Sequence, residues 1–413
     1  MAAETLRFDP ADTRIQTDPF EHYRRLQCEA PVYRGRDGSG DVYLVSRYDD
    51  VVAALRDPGT FSSRTAPIPM LLCLDPPEHT RLRRAVSRAF LPRVLAPLAP
   101  GIESRAHALL DPFLDAGGGD FVAAFAAPLP IAVIADLLGL PPADHAFLRA
   151  GAEASIRGFG AGLRGDAQTM AEAAEAMIGL RDHLQRAIEA MKADPPDHAG
   201  GRLAALARDD EADQDEIIAF CQLLFVAGHE TTLGLLGSGV DILAREPGLL
   251  ERLRSEPENV ERFVEEVLRL RSPLQRVFRI TTRDVAVGDT TIPAGSRVVL
   301  LIGAANRDPA RFPDPERFDL DRDTRGHLAF GFGTHVCIGS PLARLEGRIA
   351  FRAIIERCEG IAFDESDAPV PITDGTLSEF GWRRLPVRVR ARHPDHTDGA
   401  RRDRPRAGHH PSR

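Results

Sequence analysis

Phe330-Gly331-Phe332-Gly333-Thr334-His335-Val336-Cys337-Ile338-Gly339 is the stretch that decides the fold of this chain. Two glycines alternate with aromatic residues, one cysteine stands between a histidine and a third glycine, and a helix-like run from Ser340 to Arg357 follows. Glycine reaches backbone conformations closed to residues with a Cβ and lets another surface approach closely. The stretch therefore predicts a tight turn that presents a single sulfur to something flat. A helix beginning just beyond Cys337 sets partial positive charge beside the thiol, which favours the thiolate. A thiolate on a shaped loop is a ligand or a nucleophile, whereas a lone cysteine taken by itself is as often a packed core side chain.

About a hundred residues upstream, the span from Asp213 to Arg245 predicts a helix roughly 45 Å long at about 1.5 Å per residue, enough to cross the molecule. Its middle is Ala227-Gly228-His229-Glu230-Thr231-Thr232. An internal glycine costs about 1 kcal/mol relative to alanine, and threonines that bond back to the helix carbonyls bend it. A plain core helix gains nothing from either. Between these two stretches lies Glu261-Arg262-Phe263-Val264-Glu265-Glu266-Val267-Leu268-Arg269, in which Glu266 and Arg269 share a helix face.

The loop pattern Phe-x-x-Gly-x-His-x-Cys-x-Gly, continued by Pro341-Leu342-Ala343-Arg344-Leu345-Glu346, closely resembles the haem-binding loop of the cytochrome P450 family, and the resemblance covers nearly the whole chain. It implies a mainly α fold with a smaller β region, a single haem-enclosing domain over residues 1–390. By the same resemblance Cys337 is the proximal thiolate of the haem b iron, a ligand that favours O–O cleavage. His335, His79, Arg83 and Arg279 meet the propionates, Phe330 packs near the porphyrin, and Gly339 completes the loop. Glu230 and Thr231 match the family's acid–alcohol pair for proton delivery, with Ala227 and Gly228 leaving room above iron. Glu266 and Arg269 form a buried brace closed by Arg317 of Pro315-Glu316-Arg317-Phe318. Ile68, Met70, Leu72, Ala227, Val277, Phe278 and Phe380 are the expected pocket residues.

The implied reaction is monooxygenation: one atom of O2 enters a hydrophobic organic substrate and the other leaves as water. Electrons come from NAD(P)H through a ferredoxin-type donor. On a helical wheel through the run that opens at Asp75-Pro76-Pro77-Glu78, His79, Arg83, Val86 and Phe90 share one face, and Arg81, Arg84 and Arg88 share the opposite one. Those three, extended by Arg344 and Arg348, make an expected basic docking patch for the donor. Two other classes, a peroxide-using haem-thiolate enzyme and a catalytically dead haem protein, tend to lose the acid–alcohol pair or the cysteine. This chain has all three residues.

Composition sets the outer bounds. A net charge of −9 over 413 residues argues against a nucleic-acid binder. Five cysteines without paired spacing suggest neither a disulfide framework nor a zinc site and suit a reducing cytoplasm. Residues 1–19 are polar and irregular, with no apolar run long enough for a membrane anchor. A monomer is expected. Val32 to Val45 predicts a β-hairpin, Ser62 to Leu74 a loop with little or no helix, and the stretch from Val277 to Ile302 short strands. The tail 391–413, rich in Arg, His, Pro and Asp, should be disordered.

Overall fold

A computed structural model describes residues 8–9, 12–37, 40–66, 70–164, 166–193, 213–373 and 378–392, excepting the side chains of 159, 160 and 162–164. Ile68 and the tail from 393 onward lie outside the described residues. The fold is mainly helical, with a five-stranded sheet to one side.

The organising element is the central helix, Gln214–Arg245. Asp213 caps it: its carboxylate accepts the Glu216 N–H at 2.7 Å while the Glu216 carboxylate accepts the Asp213 N–H at 3.1 Å, satisfying two otherwise orphaned donors. By length and composition this helix would suffice to cross a bilayer. Here it packs against Pro128–Leu138, His145–Arg164, Ala167–Ala193, Val260–Leu270 and Ser340–Arg357, and much of it is buried. The last of these is the helix that follows Cys337. A Cβ at Gly239 would stand 2.2 Å from the Phe351 ring, so only glycine admits that ring to the central helix. Phe351 also meets Phe263 edge-on at 4.9 Å. One aromatic side chain thus fixes the central helix, the cysteine helix and Val260–Leu270 to one another.

The sheet runs Val32–Asp37, Gly40–Val45, Arg297–Leu300, Val277–Thr281, Phe61–Ser62. The first two strands form the predicted hairpin, and Gly40–Val45 pairs with Arg297–Leu300 in parallel. The sheet separates two apolar clusters: Val45, Val51, Leu55, Val298 and Leu328 in one, and Tyr23, Leu26, Leu44 and Val299 in the other. One expectation needs correction. The lead-in contains a five-residue helix, Thr13–Thr17, because the Asp12 carboxylate accepts the Arg14 N–H and caps it. The described part of the stretch between Ser62 and Leu74 has little helix, as expected: one 3-10 turn at Leu71–Cys73, anchored by buried Leu71 and Cys73.

Candidate functional site

The cysteine loop is built as its glycines demand. Gly331 and Gly333 both have φ of +69°, and a Cβ at Gly333 would lie 2.6 Å from the Leu55 carbonyl oxygen. The loop curls through a 3-10 turn at Gly333–His335, and the Cys337 N–H donates back to the Phe330 carbonyl at 2.8 Å. Cys337 is open at its surface, yet protein crowds it closely. Desolvation therefore pushes its thiol pKa up and outweighs the opposing pull of the Gly339 N–H, Arg83, the Ser340 N–H and Arg344. The expected lowering by the helix terminus is present but smaller than burial. A bound cation reverses the balance, because a coordinating thiol gives up its proton outright.

Beside the loop lies a cluster of basic groups. His79 is 1% exposed and neither ring nitrogen has a hydrogen-bond partner. Its ring stands 4.2 Å from that of His335, whose Nε2 lies 3.0 Å from Ser63 Oγ. Arg83 donates to the Val336 carbonyl at 2.6 Å, and buried Arg279 donates to the carbonyl of Phe278 at 2.7 Å. Desolvation depresses each of these groups: His335 falls to about 3, helped by His79 and Arg279, and Arg279 falls to about 10. His79 is lowered by burial and then by Arg83. Asp75 opposes the shift at all three, with its carboxylate held by the Ser62 hydroxyl at 2.5 Å and the Ser63 N–H at 2.8 Å. One acid among four bases leaves the cluster short of negative charge and of hydrogen-bond acceptors.

On the central helix, Ala227 is exposed although Phe225 and His229 are buried, so the helix opens onto a space at that one position. Thr231 Oγ1 donates to the Ala227 carbonyl at 2.6 Å. Glu230 is half-buried. Gly228 does not open the same space: a Cβ there would meet Ile134 Cδ1 at 2.8 Å, so this glycine serves packing between helices. His229 lies about two-fifths of a turn from both Ala227 and Thr231 on the helix wheel. Burial lowers its pKa to about 4 and keeps it a neutral packing residue.

The brace is present with a different third member. Glu266 and Arg269 have no exposure, and the guanidinium forks onto the carboxylate at 2.7 and 2.8 Å. The arginine that closes it is Arg322, 6% exposed, whose Nε donates to Glu266 Oε1 at 3.1 Å. Arg317 is 69% exposed and pairs with Asp319, contributing only its backbone carbonyl to Arg269 at 3.4 Å. Both arginines follow the turn at Asp314, φ +47°, in one irregular segment.

The family profile for cytochrome P450 matches residues 166–389. Cytochrome P450 monooxygenase PikC of Streptomyces venezuelae is 38% identical over 394 residues, covering 90% of this chain and 91% of PikC. This chain belongs to the cytochrome P450 family. Two solved P450 structures share its fold. CYP109Q5 from Chondromyces apiculatus has a TM-score of 0.83 at 31% identity, over 94% of this chain and 99% of its own. CYP109E1 from Bacillus megaterium in complex with testosterone has a TM-score of 0.82 at 31% identity, over 91% and 99%. P450s are haem-thiolate oxidoreductases, and the residues of this P450 fit haem. The orphaned nitrogens of His79 and the acceptor-poor guanidinium of Arg279 suit a pair of propionates, and Cys337 offers the sulfur.

Not every expected residue is brought together. Val277 and Arg279 alternate along one strand and share its face, but Phe278 points to the other side, into the cluster around Tyr23. Adjacent residues of a strand cannot both line one pocket wall. Phe380 is buried against Phe20 at 5.1 Å and beneath the Arg271 guanidinium. Leu72, 48% exposed, and half-buried Met70 remain as apolar surface. The basic patch is smaller than expected. Arg81 forks onto Glu216, with one contact at 2.9 Å, Arg344 onto Glu265 at 2.7 and 2.9 Å, and Arg348 lies 3.7 Å from Glu261. Those carboxylates stand on neighbouring helices, which a wheel of one helix cannot show. Arg84 and Arg88 are exposed.

Proposed function

We propose that this P450 is a monomeric, cytoplasmic monooxygenase acting on a hydrophobic organic substrate, with electrons from NAD(P)H delivered by a ferredoxin-type donor and its reductase. The observation that carries the reading is the acceptor-poor basic cluster beside the single loop sulfur, combined with Ala227 open on the central helix. Haem, when bound, supplies the oxygen chemistry. The chain's residues do the rest. Cys337 holds the iron, and His79, Arg83, Arg279 and His335 hold the propionates. Arg269 and Arg322 keep the segment before the loop in place. Leu72, Met70 and Val277 offer apolar surface for a substrate, in keeping with the testosterone bound by the CYP109E1 relative.

Glu230 and Thr231 manage protons. The Thr231 hydroxyl rests on the Ala227 carbonyl and has one donor hydrogen; swinging it off that carbonyl turns its O–H into the space where Ala227 is open, and a proton passed on there is replaced on the hydroxyl by one relayed through Glu230 from solvent. Thr231→Ala is expected to bind haem normally and to lose product formed per NADH consumed by about tenfold or more, a loss that reaches toward the ~10²-fold lower end of what one positioned proton donor contributes. Hydrogen peroxide should account for the missing electrons. Native coupling in that variant would remove Thr231 from proton delivery. NADH-driven turnover with a ferredoxin and reductase, set against turnover by added peroxide, tests the reaction class itself.

Arg84 and Arg88, exposed on one face of their helix, are candidates for steering an acidic donor on this otherwise acidic chain. Rim charges act mainly on association rate, and salt screens them beyond about 8 Å at physiological ionic strength. Reversal of both to glutamate should slow ferredoxin-driven turnover and flatten its salt dependence, while peroxide-driven turnover is unchanged. Identical ferredoxin kinetics would place the donor elsewhere.

A further inference from the structure

Three side chains from three separate elements meet behind the cysteine loop. Glu265 comes from Val260–Leu270, Arg344 from the cysteine helix, and His327 from the irregular segment before Phe330. The Arg344 fork holds both oxygens of Glu265, at 2.7 and 2.9 Å, and its guanidinium lies 4.4 Å from the centre of the Phe330 ring. His327 Nε2 is 2.9 Å from Glu265 Oε2, and its Nδ1 accepts the Ala329 N–H at 3.2 Å. A carboxylate accepts and a backbone N–H donates, so Nε2 of His327 is the donor to Glu265 and Nδ1 the acceptor from Ala329. Phe330 sits under this assembly, and its carbonyl receives the Cys337 N–H at 2.8 Å.

We propose that Glu265, His327 and Arg344 form a clamp that positions Phe330 and, through it, the Cys337 loop, so that Arg344 serves the iron ligand and not the electron donor. The inference rests on Cys337 being that ligand. The three are positioning residues, since none touches the reacting atoms. Glu265 is the hub: burial alone would raise its pKa, but the hydrogen bonds from His327 and Arg344 bring it down to about 2 and keep it an acceptor for both. The segment is held from its other side as well, where the Asn306 side chain accepts the Leu328 N–H at 2.6 Å. Ala329 and Phe330 thus lie between two fixed points. A docking cation would need its N–H groups free for a partner. Arg344 instead is 34% exposed, spends two of its donors on Glu265 and its flat face on Phe330. Both the fork and the stacking depend on a planar guanidinium that lysine lacks.

The test uses the holoenzyme reduced by dithionite under carbon monoxide, with no donor protein present. In mild urea, the rate at which the red-shifted Soret band of the thiolate-ligated form gives way to the blue-shifted one measures how firmly the loop holds its sulfur. Arg344→Lys is expected to speed that conversion about tenfold, the equivalent of one charge-assisted hydrogen bond. A docking role would predict rescue by lysine, which keeps the charge. His327→Gln retains a donor where Nε2 lies and should behave as the native protein, whereas His327→Asn keeps only the acceptor toward Ala329 and should convert faster. Native-like conversion in Arg344→Lys, with ferredoxin-driven turnover lost in Arg344→Ala, overturns the proposal. Should the Arg344 variants fail to fold, the histidine pair decides: equal rates for Gln and Asn would also overturn it. Absence of the red-shifted band from the unmutated protein would be a failure of the Cys337 assignment and not of the clamp.

Discussion

Cys337→Ser is expected to abolish both monooxygenase activity and the red-shifted Soret band of the ferrous carbonyl, while leaving the rest of the fold intact. That band requires an anionic sulfur bound to the iron, and a serine hydroxyl is too weak an acid to stand in for it. No other described cysteine can substitute. Cys73, Cys221 and Cys358 are buried in the core, where desolvation pushes the thiols of Cys221 and Cys358 up to about 12 and 11. Cys28 lies exposed near the end of Phe20–Glu29, far along the chain from the loop. Cys337 alone combines an open sulfur, a backbone bond to Phe330 and nearby N–H groups from Gly339 and Ser340. A carbonyl spectrum of the reduced variant decides the matter: persistence of the red-shifted band would end the thiolate assignment. Serine at Cys73, Cys221 or Cys358 should leave the band where it is.

What could be read from the sequence follows from the range of the interactions involved. The cysteine loop, the opening at Ala227 and the Glu266–Arg269 pair are local patterns. Positive φ at Gly331 and Gly333, a threonine four residues from the carbonyl it bonds, and a pair three apart on one helix face are all set by near neighbours. The sequence is silent where the partner lies far along the chain. Arg317 and Arg322 are five residues apart in a segment without helical or strand period, so their spacing does not show which one reaches Glu266. Gly228 has no side chain of its own to fill the groove, but Ile134, 94 residues away, occupies that space. Arg81 and Arg344 looked free on helical wheels, yet Glu216 and Glu265 come to them from elements 135 and 79 residues away. Phe278 is the exception, since strand alternation already excluded it from the face of Val277 and Arg279. The five-residue helix Thr13–Thr17 is too short to show a period, although Asp12 was a legible cap.

The brace yields the second large expected effect and tests its corrected membership. Arg269 donates to both oxygens of Glu266, to the carbonyls of Asn306 and Pro315 at 2.9 Å each, and to that of Arg317. Arg269→Ala would leave a buried carboxylate with only Arg322 and the Asp319 N–H, and would strip the buried Asn306 carbonyl and the half-buried Pro315 carbonyl of this donor. Breaking a buried ion pair from one side costs about 3–5 kcal/mol. A domain stable by about 5–15 kcal/mol has little left after such a loss, so this variant should give little or no holoenzyme. Lysine should not rescue it, because one ammonium cannot span these acceptors in the plane the guanidinium uses. The comparison that matters is between the two neighbouring arginines. Arg322→Ala removes a donor to Glu266 and to the carbonyls of Asp314 and Arg317, at 3.0 and 3.2 Å, and should lower the urea midpoint and the retention of haem clearly. Arg317→Ala removes an exposed pair with Asp319, worth about 0–1 kcal/mol, and should be close to neutral. Equal losses in the two variants, or a larger one at Arg317, would return the third place in the brace to Arg317.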